Sequence, residues 1–153
     1  MSPSTTTATL RTPTAPEPIL VDTSAWYALV DRADANHSRA VSTLAQLAQE
    51  EALLLTHNYV VVETVALLQR RLGLSAVQLF LTEMLPAALV LWVTEEVHQV
   101  ALADLLATNR RDLSLVDHVS FVLMRHRGVD RAFAFDTHFA HAGFHCLPST
   151  TPD

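Results

Sequence analysis

Apolar positions along the chain fall into two patterns that alternate. Short uninterrupted runs occur at Ile19-Leu20-Val21, Leu53-Leu54-Leu55-Thr56, Ala88 to Val93 and Arg131 to Phe135. Runs of this length, rich in branched and aromatic side chains, read as short buried strands. Pro18 precedes the first, at the one strand position where a proline costs no ladder hydrogen bond. Between the runs the apolar residues recur at helical spacing. After Thr23 and Ser24, read as N-caps, Ala25 to Val30 forms a short first helix. His37 to Glu51 carries a stripe of Ala40, Val41, Leu44, Leu47 and Ala48. Asn58 is placed to cap a helix that runs to Leu72 and stops at Gly73. Ser75 to Met84 reads as one further helix ending before Pro86. Glu95 to Ala107 has two acids in its first turn, where the helix dipole favours them. Ser114 to Arg127 ends at Gly128, Thr137 to Ala142 is a last short helix, and Phe144 to Leu147 reads as an edge strand.

Strands alternating with helices predict an α/β fold: a three-layer α/β/α sandwich with a mostly parallel central sheet. The domain is expected over residues 18–148. Residues 1–17, rich in Thr, Ser, Pro and Ala without periodicity, read as a disordered leader, and 149–153 as a disordered tail.

Against this pattern a few acids stand out. Asp22 closes the first strand and Asp136 the last long one. A carboxylate at the mouth of a buried strand is costly unless something pairs with it. Glu63 interrupts Tyr59-Val60-Val61-Val62 and Val65-Ala66-Leu67-Leu68, a stretch that reads as a helix buried on nearly all sides. Asp117 lies early in the helix after Ser114, and the Ser114/Asp117 spacing is also that of a capping box. Helix capping accounts equally for Asp22 and Asp136 taken singly. Together the four point further. In a parallel sheet every strand ends on one edge, and the helices that follow begin there. Four carboxylates gathered at such an edge repel one another, and hard divalent cations with oxygen ligands, Mg2+ or Mn2+, relieve that repulsion.

Composition narrows the classes. Half of the 153 residues are hydrophobic, enough for one domain with a core. No apolar run suits a membrane span, and no basic-then-apolar signal opens the chain. Cys146 is the single cysteine, as expected of a cytoplasmic protein. The net charge of −6 argues against nucleic-acid binding by bulk electrostatics, leaving metal ions or a local basic patch as the routes to a phosphate. All ten basic residues are arginines. Receiver domains and haloacid-dehalogenase-type phosphatases rely on a lysine near the phosphoryl group. That lysine is absent here, and Asp22-Thr23-Ser24 is not a D-x-D-x-T motif.

Val21-Asp22-Thr23-Ser24, Asn58 to Thr64 with Glu63, Ser114-Leu115-Val116-Asp117 with Ser120-Phe121, and Phe135-Asp136-Thr137-His138-Phe139 together resemble the four signature blocks of PIN-domain ribonucleases, in order and over most of the chain from Pro18 to Leu147. The nearest likeness is to VapC-type toxins of toxin–antitoxin pairs. The resemblance implies Asp22, Glu63, Asp117 and Asp136 as an acidic quartet holding Mg2+ or Mn2+. It also implies hydrolysis of RNA phosphodiester bonds, a homodimer and a small antitoxin protein as inhibitor. His118 departs from the small residue expected after the third acid. Thr23 and Ser24 are candidates for orienting Asp22, and Arg110 and Arg111 for contacting RNA. Three alternatives stay open: a housekeeping PIN-domain RNA-processing nuclease, a non-catalytic PIN-like module whose acids are paired with arginines, and a zinc site from His138, His141, His145 and Cys146.

Overall fold

The computed structural model describes residues 14–149. The expected leader as far as residue 13, and the expected tail past residue 149, lie outside the described residues. At the start of the described chain Glu17 is already tied to the domain. Its carbonyl accepts the Leu53 N–H at 3.1 Å, and its carboxylate lies 3.3 Å from the Arg131 guanidinium.

Strands and helices alternate in the expected order: β1 (Pro18–Val21), α1 (Thr23–Val30), α2 (His37–Gln49), β2 (Leu53–His57), α3 (Asn58–Leu72), α4 (Leu74–Leu79), β3 (Leu89–Leu91), α5 (Glu95–Thr108), α6 (Leu115–Arg127), β4 (Arg131–Phe133), α7 (His138–His141) and β5 (His145–Leu147). The five strands form one sheet in the order β3-β2-β1-β4-β5, and every pairing is parallel. The sheet is therefore wholly parallel, where the sequence suggested mostly so. The order also creates a switch point. β1, β2 and β3 are laid down in one direction, and then β4 returns to the other side of β1.

Side chains on successive strand residues point to opposite faces, and both faces are covered. Ile19, Val21, Leu54 and Phe133 pack under α1 to α4, with Trp26, Leu47, Val60 and Leu68. Leu20, Leu55, Ala132 and Ala134 face the other way, against Phe121 and Met124 of α6 and Phe139 of α7. α5 lies outside α6, with Val97 and Ala101 on Val119, Val122 and Leu123.

Three local expectations need correction. The expected helix Ser75–Met84 is interrupted: α4 ends at Leu79, Phe80–Met84 widens into a π turn, and Leu85–Ala87 tightens into a 3-10 turn around Pro86. The widened turn begins at Phe80. Here Phe80, fully buried, meets Trp26 edge-on at 5.4 Å between ring centroids. α3 is not buried all round. Only Val60, Thr64 and Leu68 are buried, while Val62 is 68% exposed. The helix covered on all sides is α6, buried without a break from His118 to Met124. Finally, α3 is capped by His57 rather than Asn58. The His57 ring accepts the Val60 N–H through Nδ1, and Asn58 instead accepts the Val93 N–H at 2.8 Å. His57 is fully buried, with Nε2 2.8 Å from the Ser120 hydroxyl. Ser120 gives its own proton to the Val116 carbonyl, so Nε2 is the ring's donor and the ring is neutral. Burial lowers its pKa to about 4.

Candidate active site

The site is built at the carboxyl edge of β1 and β4, the two strands that flank the switch point. Ligands in open α/β sheets bind in the crevice at such a point. The Asp22 N–H still pairs with the Phe133 carbonyl, at 3.0 Å. Beyond that bond the two chains diverge, and the opening lies between them.

Asp22 is the N-cap of α1. Its Oδ2 accepts both the backbone N–H of Ser24, at 3.1 Å, and the Ser24 hydroxyl, at 2.8 Å. Thr23 and Ser24, expected as caps, are the first residues of the helix, and their side chains are used otherwise. Ser24 Oγ donates to Asp22 and accepts the Phe135 N–H at 3.0 Å, fixing the segment that carries Asp136. Thr23 Oγ1 donates to Glu63 Oε2 at 2.9 Å, so the turn after β1 orients the acid on α3.

Asp117 forms a full capping box with Ser114. It accepts the Ser114 N–H at 2.9 Å, and the Ser114 hydroxyl accepts the Asp117 N–H at 3.2 Å. Asp136 lies three residues beyond the end of β4, and its Oδ1 accepts the His138 N–H at 3.1 Å. Capping and clustering are thus not alternatives. Three of the four acids use one oxygen on a helix start and still lie at the common crevice.

Asp117, Asp136 and His138 each offer a ligand atom within 4.8 Å of the others, the one such group among the described residues. His138 Nδ1 is 3.5 Å from Asp117 and 3.8 Å from Asp136. Asp22 and Glu63 lie outside this trio, yet they share its electrostatics. Burial pushes the Asp22 carboxyl up to about 7, with the charges of Asp136 and then Asp117 adding to the effect. Glu63 is raised by burial first, then by Asp117 and Asp136. Asp117 is raised by burial and by Asp136, against the pull of its Ser114 hydrogen bonds. Among the described residues no arginine is ion-paired with any of the four. Among the described residues the arginine ion pairs are Arg110 with Asp112, and Arg131 with Glu17 and Glu50. Oxygen donors under mutual repulsion, without a fixed counter-charge, suit a hard divalent cation. Asp117 and Asp136, with Asp22 and Glu63 sharing their electrostatics, offer oxygen donors of the kind such an ion takes.

The remaining sequence candidates separate. Arg110 is ion-paired with Asp112, while Arg111 is exposed. His118 is buried, edge-on to Phe121, and faces Thr108 rather than the acids. The four suggested zinc ligands do not form one group. His138 turns to the carboxylates, His141 and His145 are exposed, and Cys146 packs at the edge strand. Sequence reading missed His138 as a neighbour of the acids. The signal was present in Asp136-Thr137-His138, because a residue two beyond an Asx-type cap is brought back toward it.

Thr23 offers a test of this geometry. Thr23→Val keeps the shape and removes the hydrogen bond to Glu63. If Glu63 serves an RNA-cleaving metal site, as the resemblance implies, cleavage should fall by about 10–100-fold, while stability should change by about 1 kcal/mol or less. Unchanged cleavage kinetics in the folded variant would separate Glu63 from the site.

An α/β domain with a wholly parallel sheet and carboxylates gathered at its switch point is the class defined by this fold and site. The chain belongs to the PIN domain family, whose model matches residues 19–145. It is 37% identical over 127 residues to the 23S rRNA-specific endonuclease VapC20 of Mycobacterium tuberculosis, covering 82% of this chain and 95% of that protein. The crystal structure of that VapC20, described as a sarcin–ricin loop cleaving toxin, superposes with a TM-score of 0.73 at 36% identity, over 82% of this chain and 95% of the other. The fold is also shared with FitAcB from Neisseria gonorrhoeae, at TM-score 0.61 and 18% identity over 84% of this chain and 95% of the other.

Proposed function

We propose that this chain is a divalent-metal-dependent endoribonuclease acting as the toxin of a toxin–antitoxin pair, with 23S ribosomal RNA as its substrate. The observation that supports the reading is the grouping of Asp117 and Asp136 with His138, whose charges Asp22 and Glu63 also feel; among the described residues none of the four acids is paired to an arginine. The same observation disfavours a non-catalytic module with arginine-filled acids. The likeness to a 23S rRNA endonuclease favours a toxin over a housekeeping nuclease.

The four acids would hold Mg2+ or Mn2+. When bound, such an ion supplies Lewis acidity, lowering the pKa of water and offsetting negative charge on the phosphate. The chain's own residues do the positioning. Ser24 holds Asp22 and the Phe135–Asp136 turn together, Thr23 holds Glu63, and Ser114 holds Asp117. A carboxylate of the cluster that is not engaged by the ion accepts the proton of the attacking water. The purified chain is expected to cut 23S rRNA with Mg2+ or Mn2+ and to stop when EDTA is added. Cleavage undiminished by the chelator would overturn the metal-dependent reading.

An apolar hollow lined by Tyr59, Val62, Ala66 and Val116 borders Glu63. We read it as the seat of the antitoxin, whose apolar side chains fill the hollow while a basic one reaches the acids. The reading includes a homodimer, as the family resemblance implies, and Trp92 and Leu106, 77% and 79% exposed, are available to such a contact. The cytoplasm is the compartment that fits an RNA substrate, and among the described residues no helix is long and apolar enough to cross a membrane. Val62→Asp is expected to weaken the antitoxin complex by about a hundredfold, since it buries a charge in an apolar contact, and to leave the melting temperature of the free protein unchanged. Isothermal titration with the product of the neighbouring reading frame measures it.

A further inference from the structure

Beside the acid cluster, on its α6–α7 flank, lies a hollow of about 330 Å3 with a different character. Arg110, Arg125, His118, His138, His141 and Phe121 line it, and Asp104 is its one acid. The chain as a whole is acidic, at −6, so this is a local concentration of cationic and imidazole nitrogen. The hollow is continuous with the site, because His138 belongs to both. Its Nδ1 faces Asp117 and Asp136, and its Nε2 lies 3.7 Å from Asp112, the partner of Arg110.

The two arginines differ. Arg110 is partly neutralised by Asp112. Arg125 forms no ion pair among the described residues. Its guanidinium lies over two rings, 5.9 Å from the centroid of Phe121 and 5.6 Å from that of Phe144. Those rings stack on each other at 5.8 Å and pack with Phe139, whose side chain is fully buried, so they form a rigid platform. A guanidinium held by ring faces keeps its N–H donors free and its plane fixed. That is the arrangement for bidentate capture of an anionic oxygen pair. A phosphodiester strand that presents one phosphate to the acids needs the next phosphate neutralised close by, and on this flank Arg125 stands ready.

We infer that this hollow is a backbone subsite for the RNA strand, in which Arg125, with His141 at the rim, binds a phosphate flanking the scissile one. The inference rests on the endoribonuclease reading above and adds to it the element that lets an acidic protein hold a polyanion.

The test is single-turnover cleavage of a synthetic hairpin RNA carrying the sarcin–ricin loop, at several salt concentrations, with the full chain and saturating Mg2+. Arg125 is exposed, so its replacement leaves the fold intact, and a thermal melt checks this. Arg125→Gln is expected to raise the half-saturating protein concentration by about tenfold, the equivalent of one charge-assisted contact, while the maximal rate changes by less than about threefold. The slope of log affinity against log salt is expected to become shallower by about 0.7–0.9, the signature of one lost phosphate contact. A purely structural arginine would not move that slope. Arg125→Lys should restore the slope and part of the affinity. If the parent cuts the hairpin and Arg125→Gln matches it in affinity and slope, or Arg125→Lys shows the slope of Arg125→Gln, the subsite is wrong and the nuclease reading stands. If the parent cuts neither this hairpin nor 23S rRNA, the nuclease reading fails and the subsite falls with it.

Discussion

Asp22→Asn is expected to lower Mg2+-dependent RNA cleavage by on the order of a thousandfold, about 4 kcal/mol of transition-state stabilisation, while making the metal-free protein more stable. Both effects follow from one observation. Asp22 is 4% exposed, and its carboxyl is raised to about 7 by burial and by the charges of Asp136 and Asp117. Asparagine keeps an oxygen to cap α1 through the Ser24 N–H but carries no charge. In the unfolded chain Asp22 titrates near its ordinary 3.8, and in the folded chain near 7. Between those values the folded protein binds a proton that the unfolded one has released. The favourable contribution is therefore complete below about pH 4 and is lost as pH rises through 7. The stability gap between Asp22→Asn and the parent should open across that window and reach roughly 1–3 kcal/mol by pH 8, since one pKa unit is worth about 1.4 kcal/mol and neighbouring acids share the titration. His57 acts with the opposite sign. Its folded pKa of about 4 lies below its ordinary 6.5, so its contribution is present above pH 6.5 and is lost as pH falls through 4. It is common to both proteins, and the difference between their melting curves isolates Asp22. Added Mg2+ should narrow the gap by stabilising the parent alone. A variant that cuts at the parent rate, or a gap that is flat with pH, would remove Asp22 from the cluster.

Phe80→Ala is expected to cost about 3–5 kcal/mol, the range for truncating a fully buried aromatic, and to lower the melting temperature by about 8–15 °C. Phe80 is the side chain around which the chain widens after α4, and its removal leaves Trp26 without its edge-on partner. Trp26→Phe should behave very differently. The indole Nε1 is buried with no hydrogen-bond partner. Its replacement loses packing volume but also removes an unsatisfied donor, whose burial costs about 1–3 kcal/mol. We expect a net change of about 1 kcal/mol or less. Urea denaturation of the two variants compares them directly. Equal losses would show that the Phe80 ring is not the keystone of this face.

Much of the fold is legible from alternation alone. Ile19 to Val21, and Leu54 with Leu55, are apolar on both faces because both faces are covered there, and short runs with intervening helices leave a parallel sheet as the natural solution. The acids were legible for the same reason. Asp22 and Asp136 interrupt patterns that otherwise exclude charge. The reading of α3 failed in an instructive way. Val60, Val61, Val62 and Val65 suggest a helix buried all round, but an apolar face reserved for a partner and one buried in the core have the same composition. Val62 and Ala66 are exposed, and α6, with His118, Ser120 and its terminal arginines, is the helix that is covered. His57 gave no sign of its role, because nothing in Thr56-His57-Asn58 shows which of two adjacent polar residues will cap.

The chain by itself determined the alternation of elements, the two-sided core, and the edge on which Asp22, Glu63, Asp117 and Asp136 emerge. Those depend on local periodicity and on the common polarity of parallel strands. Only the tertiary structure decided the order β3-β2-β1-β4-β5, and with it the crevice between β1 and β4. It brought Asp117 of α6 to the His138 that local sequence had set beside Asp136, and it alone stacked Arg125 on Phe121 and Phe144. Strand order and side-chain direction are set by how helices of similar pattern compete for the two faces of the sheet. That competition is settled by the fit of whole surfaces, between residues far apart in the chain, and a one-dimensional pattern carries no record of it.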